Sequence, residues 1–321
     1  MQVTILGAGG FLGQKLAAAL AARGVLRGRE IRALHLVDLS APPAVAADFV
    51  ITTRAADISD AASISQAIPN GTDAVFHLAA VVSGQAEAEF ESGLQANLMG
   101  TLNVLERCRA LETAPVVVFS SSVAVYGGEI PQPIEDWYLL NPQTSYGTQK
   151  AIGELLINDY SRKGFIDGRG LRLPTVTVRP GKPNRAASSF ASSIFREPLQ
   201  GDEAICPVKP ESQMWVCSPR AVIANLLHAA ELEAKVWGEN RCIALPGLLA
   251  TIGEMVEAMR RVAGDEPVSR IRWEPDPVIQ KIVDGWLADL RPEKATKLGF
   301  IADHSFEDNV RGFLEDDIRR D

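Results

Sequence analysis

Residues 3–13, VTILGAGGFLG, decide the fold of this chain. The apolar residues 3–6 favour an extended strand, and the stretch 11–22 is dense in alanine and leucine, which favours a helix. A glycine turn between a strand and a helix is the context in which proteins bind the pyrophosphate of a dinucleotide. The glycine spacing here is G-x-x-G-x-x-G rather than the commoner G-x-G-x-x-G.

Each glycine of this turn has its own physical purpose. Gly7 permits the tight turn, Gly10 lets the backbone approach the phosphates, and Gly13 allows the helix to pack closely. The N-terminus of the helix attracts the phosphate charge. The contacts with a dinucleotide cofactor that this turn predicts are Gly7, Gly10, Phe11, Leu12 and Gly13.

Outward from the turn, short apolar strands alternate with helical stretches. Continuous apolar strands between helices indicate a parallel sheet that is covered on both faces. The predicted fold class is therefore α/β, a Rossmann-type doubly wound parallel sheet with a smaller C-terminal substrate-binding lobe. The strands are expected at 3–6, 31–37, 74–78, 116–120 and 171–179, with long helices at 93–111 and 145–164 and an extended segment at 267–277.

The domain prediction assigns 1–170 to a dinucleotide-binding domain, with 218–240 returning to it. The segments 171–217 and 241–321 form the substrate-binding lobe in this prediction. Ser218 followed by Pro219 predicts a helix start, and Thr251 and Gly264 predict the two ends of another helix.

The bulk composition excludes several classes of function. The chain has 321 residues and a formal net charge of -8, which argues against binding to nucleic acid because such binding uses a basic face. The four cysteines include no C-x-x-C pair and the four histidines have no H-x-x-x-H spacing, so we expect reduced thiols and no metal site. No apolar run approaches the ~18 residues of a membrane span, and a cytoplasmic location is the default expectation.

Two acidic residues are candidates for holding the adenosine end of the cofactor. Asp38 ends the second strand, where a carboxylate accepts hydrogen bonds from ribose hydroxyls and repels a 2′-phosphate. Leu39, Ser40 and Ala41 follow, and none is a cation that could receive such a phosphate. These residues favour NAD over NADP, and Asp57 and Ile58 are expected at the adenine edge.

The segment after the 74–78 strand is expected to pass close to the cofactor. His77 is read as a packed structural histidine, and the small residues beyond it leave room for a ligand. The predicted cofactor contacts here are Leu78, Ala79, Ala80 and Asn97, and Ser83 is a predicted substrate contact.

The chemistry is carried by Ser122, Tyr146 and Lys150. Tyrosine ionises near pH ~10 and is a poor base at neutral pH unless a charge stabilises its phenolate. A lysine four residues later lies on the same helical face, one turn on, and its ammonium lowers the tyrosine pKa. A serine hydroxyl at the end of the 116–120 strand can hydrogen-bond the reacting oxygen. Such a set suits proton removal from an alcohol as a hydride leaves the same carbon.

Together, FSSSVAVYG at 119–127 and SYGTQK at 145–150 resemble the active-site segments of the extended short-chain dehydrogenase/reductase family, also called the NAD-dependent epimerase/dehydratase family. The resemblance implies that Ser122, Tyr146 and Lys150 form the catalytic set, with Tyr146 and Lys150 also against the cofactor. It further implies that Asn97 supports the helix near the site, that NAD is the cofactor and that the enzyme is a homodimer through helices 93–111 and 145–164.

A narrower resemblance lies at 178–190, VRPGKPNRAASSF, which is similar to NAD-dependent dehydrogenases of a four-carbon sugar acid. A small polyhydroxy carboxylate needs cationic and amide donors near the catalytic tyrosine, and this loop supplies them. The implied activity is oxidation of the sugar acid at C2 to a 2-keto acid. The predicted substrate contacts are Ser83, Ser122, Tyr146, Lys182, Asn184 and Ser188.

Two other functions remain open at this point. An NAD-dependent nucleotide-sugar 4-epimerase would use the same three residues and retain its cofactor. A non-catalytic redox sensor would bind the dinucleotide but would not need Ser122, Tyr146 and Lys150 together. The sugar dehydratases of the family carry an acidic pair just after the catalytic hydroxyl, whereas this chain has Val123 and Ala124 there.

Overall fold

The computed structural model describes residues 1–181, 187–286 and 289–318. The chain divides into two compact units. The first comprises Met1–Val125, Pro142–Arg172 and Ile223–Ile243, and the second comprises Tyr126–Asn141, Leu173–Val222 and Ala244–Asp321. The assignment of cofactor binding to one predicted domain and substrate binding to the other stays a prediction.

A seven-stranded sheet is the framework of the first unit. Its strands in chain order are β1 Gln2–Leu6, β2 Ala33–Asp38, β3 Val50–Ala55, β4 Ala74–His77, β5 Val116–Ser122, β6 Asp167–Leu173 and β7 Cys242–Ala244. Their spatial order is β7-β6-β5-β4-β1-β2-β3. Strand β1 pairs in parallel with both β2 and β4, and β4 pairs in parallel with β5. The predicted Rossmann-type α/β fold is confirmed.

The sheet order explains why distant motifs meet. In the parallel register Leu6 lies opposite both Val37 and His77, and His77 lies opposite Phe119. The residues that follow these positions therefore emerge at one edge of the sheet, where open α/β sheets bind ligands. The strand order reverses at β1, which has β2 on one side and β4 on the other. This arrangement brings the glycine turn after β1 next to the segment 78–80 after β4.

Helices cover the sheet, and their apolar faces build the core of the first unit. This core includes Leu6, Val75, Val104, Phe119 and Ile157. The helices of this unit include Phe11–Arg23, Ala61–Ala67, Ser83–Ala88, Phe90–Gly93, Leu94–Met99 in π geometry, Gly100–Ala110, Val123–Val125 in 3-10 geometry and Ser145–Arg162.

The helix predicted over 93–111 is present, and the part of it that the sequence did not show is a change of helix type. The structure has an α-helical turn at Phe90–Gly93, a π-helical stretch at Leu94–Met99 and an α-helix at Gly100–Ala110. The π-helical stretch contains Asn97, whose side chain is engaged outside the helix. Hydrophobic periodicity does not distinguish π from α geometry, so the sequence did not show this change.

The second unit has its own apolar core, which includes Phe195, Val216, Met255, Met259 and Phe306. A three-stranded sheet contains Thr175–Val176, Gln213–Cys217 and Leu248–Thr251, and two-stranded sheets pair Ala204–Cys206 with Ile271–Trp273 and Ile134–Glu135 with Leu290–Arg291. The helices of this unit are Ala187–Ser189 in 3-10 geometry, Phe190–Leu199, Ile252–Ala263, Asp265–Val268, Pro277–Asp284, Glu293–Lys297 and Phe306–Asp316. The helix Pro219–Glu231 starts in the second unit and continues from Ile223 in the first, which also contains the 3-10 helix Ala234–Trp237.

Local signals placed several helix ends of this unit correctly. Thr251 caps Ile252–Ala263 in a capping box with Glu254, and Gly264 follows its last residue with φ of 85°. The Ser218 hydroxyl accepts a hydrogen bond from the Ala221 amide at the start of Pro219–Glu231. The expectation that 267–277 is extended was only partly right, because the strand is confined to Ile271–Trp273.

Candidate active site

The glycine turn is built as the sequence indicated. Gly7 has φ of 86°, a left-handed conformation that favours glycine, and its amide donates to the Val37 carbonyl at 2.9 Å. A Cβ on Gly7 would lie 2.6 Å from the Ala79 nitrogen, and one on Gly13 would lie 2.1 Å from the Gly7 oxygen. The strand, the turn and the helix Phe11–Arg23 are therefore packed too closely for any side chain at these two positions.

Asp38 lies against the glycine turn. Its Oδ2 accepts from the Gly9 amide at 2.8 Å and its Oδ1 from the Leu39 amide at 2.7 Å. These bonds hold the carboxylate at the carboxyl end of β2, beside the exposed residues Gly9 and Gly10. The position suits acceptance of ribose hydroxyls, as the sequence predicted, although the contact itself stays a prediction.

Asp57 and Ile58 lie just beyond the end of β3. The Asp57 carboxylate accepts from the amide and the hydroxyl of Ser59, so it shapes its own loop. Ile58 is buried and packs where Gly100 lacks a side chain. The loop is further held by Asn103, which donates to the Ile58 and Ser59 carbonyls. The predicted role of both residues at the adenine edge stays a prediction.

Asn97 acts as a brace for the segment that follows β4. Its Oδ1 accepts from the Val81 amide at 2.8 Å, and its Nδ2 donates to the Val81 carbonyl at 3.0 Å and to Gln149 at 2.8 Å. The residue is 1 % exposed. These hydrogen bonds fix the backbone just after Leu78, Ala79 and Ala80, which are half-buried or exposed. The chain then continues into the helix that begins at Ser83.

His77 is a structural residue, as the sequence indicated. Burial lowers its pKa to about 3, with the charge of Lys150 as a smaller contribution, so the ring is neutral. Its Nε2 contacts the Thr101 hydroxyl at 3.0 Å. Because the Thr101 hydroxyl itself donates to the Asn97 carbonyl, Nε2 is the protonated nitrogen of His77.

The three consecutive serines at the end of β5 have different environments. The Ser120 hydroxyl donates to the His77 carbonyl at 3.1 Å and the Ser121 hydroxyl donates to Glu154 Oε1 at 2.5 Å, and both residues are buried. Ser122 is only half-buried, and its Oγ accepts from the Ala124 amide at 3.1 Å. Its own proton is therefore available to a ligand, which supports Ser122 as the hydroxyl of the catalytic set.

Close packing sets Tyr146 beside this strand end. A Cβ on Gly147 would lie 2.2 Å from the Ala124 oxygen, so the helix Ser145–Arg162 begins in direct contact with the residues after Ser122. The start of the helix is fixed twice, because the Thr144 hydroxyl accepts from the Gly147 amide and the Glu87 carboxylate accepts from the Ser145 amide. Tyr146 itself is half-buried.

Lys150 follows Tyr146 by one helical turn. Its Nζ lies 5.6 Å from the centroid of the Tyr146 ring, and it donates to the Ser120 carbonyl at 2.7 Å. The residue is 2 % exposed, and burial lowers its pKa to about 7, against an opposing effect of Glu154. The ammonium is therefore poised to lose its proton near neutral pH.

Sequence reasoning missed two charged residues beneath this set. Glu154 lies one turn beyond Lys150 and is 1 % exposed, and Arg172 on β6 is 4 % exposed. The Arg172 guanidinium donates from Nε to Oε1 at 2.9 Å and from Nη2 to Oε2 at 2.7 Å. The signal that could have revealed them is a carboxylate at i+4 from the lysine and an arginine inside a strand that otherwise reads as buried.

The predicted substrate loop is described only in part. Lys182 and Asn184 lie outside the described residues. In the second unit the Ser188 carbonyl accepts from Arg179 Nη2 at 3.0 Å, and Ser188 Oγ lies 3.4 Å from the same nitrogen. Ser188 is half-buried. The roles of these residues in substrate binding stay predictions.

The geometry of the first unit fits a dinucleotide. Its glycine turn leaves no room for a Cβ at Gly7 or Gly13, which gives a pyrophosphate close access to the backbone, and the Asp38 carboxylate lies against this turn. Tyr146 and Lys150 lie at the other side of the same sheet edge, where they would hold the nicotinamide ribose. The described residues contain no cluster of histidine, cysteine and acidic side chains that could hold a metal ion, and the four cysteines are buried.

Comparison with known proteins identifies the family. The profile of the NAD dependent epimerase/dehydratase family matches residues 3–214. The chain therefore belongs to the NAD-dependent epimerase/dehydratase family, as the active-site segments indicated, and NAD is its cofactor. This confirms the predictions of family and cofactor.

Individual relatives cover almost the whole chain. The D-erythronate dehydrogenase of Cupriavidus necator is 51% identical over 98% of this chain and 98% of its own length. The D-erythronate dehydrogenase of Haemophilus influenzae is 42% identical over 99% of this chain and 100% of its own length. A crystal structure of the nucleoside-diphosphate-sugar epimerase from Agrobacterium tumefaciens is 44% identical, with a TM-score of 0.95 over 98% of this chain and 94% of that chain.

Proposed function

We propose that this protein is an NAD-dependent dehydrogenase that oxidises D-erythronate at C2 to 2-dehydro-D-erythronate. The observation that carries the proposal is the likeness over nearly the full length to two proteins named D-erythronate dehydrogenase. The set of Ser122, Tyr146 and Lys150 at one edge of the sheet supplies chemistry that suits oxidation of an alcohol. The likeness of segment 178–190 to dehydrogenases of a four-carbon sugar acid points to the same substrate.

Each residue of the catalytic set has its own role in the transfer of one proton. Tyr146, as its phenolate, takes the proton from the C2 hydroxyl, and Ser122 Oγ donates to that oxygen and orients it. Lys150 stabilises the phenolate through its charge and holds the nicotinamide ribose. The chemistry supplied by bound NAD is the acceptance of a hydride from the same carbon. Asp38 and the glycine turn would bind the adenosine and the pyrophosphate.

Substrate selection falls to polar residues outside the catalytic set. Lys182, Asn184 and Ser188 would bind the carboxylate and the distal hydroxyls, and Ser83 would contact the substrate from the segment after β4. A cation and an amide are the donors that a small sugar acid needs. We also propose that the protein works in the cytoplasm. None of the helices in the described residues has the length and hydropathy of a membrane span.

We further propose a homodimer that forms through the helices Gly100–Ala110 and Ser145–Arg162 and the turns before them. Apolar side chains on this side of the first unit are exposed, with Phe90 at 53%, Met99 at 39% and Leu155 at 64%. Such side chains gain free energy when a second subunit removes them from water. Helices of this length can pack against their symmetry mates in a single interface.

A nucleotide-sugar 4-epimerase is the second candidate. The observation in its favour is the structural likeness to the nucleoside-diphosphate-sugar epimerase from Agrobacterium tumefaciens. An epimerase would use Ser122, Tyr146 and Lys150 in the same way but would return the hydride to the sugar and leave no net NADH. Dehydration has less support, because Val123 and Ala124 replace the acidic pair that the dehydratases carry.

The test follows NADH absorbance with purified protein, NAD and a panel of D-erythronate, L-threonate, D-glycerate and UDP-galactose. We expect NADH to form in proportion to substrate with D-erythronate. Tyr146→Phe should lower this rate by about 10²- to 10⁴-fold, because it removes the base but leaves the cofactor turn intact. Conversion of UDP-galactose without NADH would establish the epimerase instead, and near wild-type turnover in Tyr146→Phe would contradict the mechanism.

A further inference from the structure

We propose that Glu154 is a positioning residue for the reaction: its buried carboxylate fixes the strand end that carries Ser122 and supplies the negative charge that faces Lys150. The proposal rests on the proposed function, since it takes Ser122 and Lys150 as groups that touch the substrate and the cofactor. Glu154 itself touches neither, because its carboxylate is enclosed by the sheet and by its own helix.

The carboxylate is held on several sides. Arg172 on β6 reaches both oxygens, with Nε at 2.9 Å from Oε1 and Nη2 at 2.7 Å from Oε2. The Ser121 hydroxyl on β5 donates to Oε1 at 2.5 Å. With side-chain exposures of 5% and 2%, the pair is shielded from water. Because the buried carboxylate accepts hydrogen bonds from both Arg172 and Ser121, its position and orientation are fixed.

The first consequence concerns the strand end. Ser121 precedes Ser122 directly, and successive side chains of a strand point to opposite faces. The bond from Ser121 to Glu154 therefore fixes the orientation in which Ser122 faces the other side. The Ser120 carbonyl on the same strand end accepts from Lys150. One helix thus holds this strand end at two points, one turn apart.

The second consequence concerns the charge of Lys150. Tyr146, Lys150 and Glu154 follow one another at intervals of four residues, so all three share one face of the helix. Burial lowers the pKa of Lys150, and Glu154 is the charge that opposes this change. The groups that surround the lysine and the carboxylate are Tyr146 on the helix, His77 on β4, Phe119 and Ser121 on β5 and Arg172 on β6. Of these, His77 is neutral and Arg172 is paired with Glu154 itself. The Cys242 thiol on β7 contacts the backbone carbonyl of Glu154 and not its carboxylate.

The test uses a double variant, Glu154→Gln/Arg172→Met. Removing both charges together avoids a buried arginine without a partner, and an apolar replacement of a buried pair is commonly tolerated. The matched control is Asp167→Asn/Arg169→Met, which removes an ion pair between a half-buried carboxylate and a buried guanidinium, both on β6. Two quantities are measured: the pKa of Lys150 in the NAD-free protein, by a ¹³C-lysine NMR titration assigned with Lys150→Arg, and the acid limb of kcat/KM for D-erythronate.

We expect the Lys150 pKa to fall in Glu154→Gln/Arg172→Met, because the Glu154 carboxylate is the charge that raises it. The acid limb should move to higher pH by a similar amount, because Tyr146 loses the charge that stabilises its phenolate. The control should lose stability without either change. Glu154→Asp keeps the charge and should keep both values near those of the wild type.

An unchanged Lys150 pKa in the double variant would overturn the proposal, as would a loss of kcat that is equal at every pH. A lowered Lys150 pKa with an unmoved acid limb would support the coupling and instead contradict the roles of Tyr146 and Lys150 in the proposed function. If the double variant does not fold, Ser121→Ala tests the strand contact. It should lower kcat about 10-fold while KM for NAD stays unchanged, and a wild-type kcat would overturn the positioning role.

Discussion

Lys150 places an ammonium group where water has almost no access, since the residue is 2 % exposed. Its amine donates to the Ser120 carbonyl and lies 4.7 Å from the centroid of the Phe119 ring. These contacts do not replace the lost hydration, and the pKa of Lys150 is lowered to about 7, mainly by burial. The lysine that the proposed mechanism requires is therefore a residue that destabilises the fold.

This conflict predicts a pH-dependent gain of stability in Lys150→Met. Between the folded pKa of about 7 and the unfolded pKa near ~10.4, the unfolded chain binds more protons, so wild-type stability rises with pH across this window. The variant lacks that dependence. Its free energy of unfolding should exceed the wild-type value by about 2 kcal/mol at pH 7, and the gain should shrink as the pH rises. Urea denaturation across this pH range measures both effects.

The exposed Lys163 at the end of the same helix provides the control. Lys163→Met should show the pH dependence of the wild type, and a similar gain in this control would mean that the cause is not burial. Lys150→Met should also oxidise D-erythronate at least about 100-fold more slowly, since Tyr146 loses its stabilising charge.

A second prediction at the scale of the residue concerns Asp38 and the preference for NAD over NADP. Asp38→Asn keeps the shape of the side chain but removes the charge that is predicted to accept ribose hydroxyls and to repel a 2′-phosphate. The preference for NAD over NADP should fall by about 10-fold or more, because hydrogen bonds to a charged group are the stronger ones. Steady-state kinetics with both cofactors measure the ratio. Asp60→Asn, at the nearby cap of helix Ala61–Ala67, should leave it unchanged.

At the scale of elements, the helix Phe11–Arg23 has a glycine near each end with a different physical reason. Gly13 is needed for contact, because a Cβ there would meet the Gly7 oxygen at 2.1 Å. Gly24 is needed for conformation, because its φ is 64° and the space around it is open. Substitutions at the two positions can therefore distinguish the close packing of the glycine turn from ordinary helix termination.

The prediction from this difference concerns NAD affinity. Gly13→Ala should push the helix away from the turn and weaken NAD binding by on the order of 10-fold, in addition to its loss of stability. Gly24→Ala should cost about 1 kcal/mol of stability for its left-handed backbone and leave NAD affinity unchanged. Isothermal titration with NAD and urea denaturation provide the two measurements. Equal NAD affinities in both variants would show that the turn tolerates displacement.

Close packing between a helix and a strand also explains the position of the candidate catalytic residues. Gly147 lets the helix Ser145–Arg162 touch the Ala124 carbonyl, and Gly153 lets it approach the Phe119 ring, where a Cβ would lie 2.8 Å from Cζ. These two contacts bring the helix against the strand β5. Tyr146 and Lys150 reach the strand end only because both glycines lack a side chain.

At the scale of the whole molecule, the exposed apolar side chains beside the site helices predict a dimer in solution. Leu155→Arg should convert the protein to monomers, because it places a charge in an interface that buries apolar surface. Light scattering coupled to gel filtration measures the mass. Val278→Arg alters a side chain that is 69% exposed in the second unit and should leave the dimer intact. A wild-type mass equal to that of one chain would contradict the dimer.

Local sequence patterns were sufficient to predict the fold class, the cofactor and the family. A strand–glycine–helix order, apolar periodicity, and a tyrosine and lysine four residues apart are each contained in a short segment. The ends of helix Ile252–Ala263 were also predictable, since Thr251 and Gly264 act on neighbouring backbone groups. The predictions of individual site contacts with the cofactor and the substrate stay predictions.

The residues that surround the site from other elements could be identified only once the packing of the strands and helices was known. Ser121, Glu154 and Arg172 come from β5, a helix and β6, and their meeting depends on the strand order β7-β6-β5-β4-β1-β2-β3. Asn97, in the π-helical stretch, accepts a hydrogen bond from the Val81 amide, which lies 16 residues away in the chain. Contacts between distant segments follow from how layers pack, and no local pattern in the sequence encodes their distances or the burial that changes their charge states.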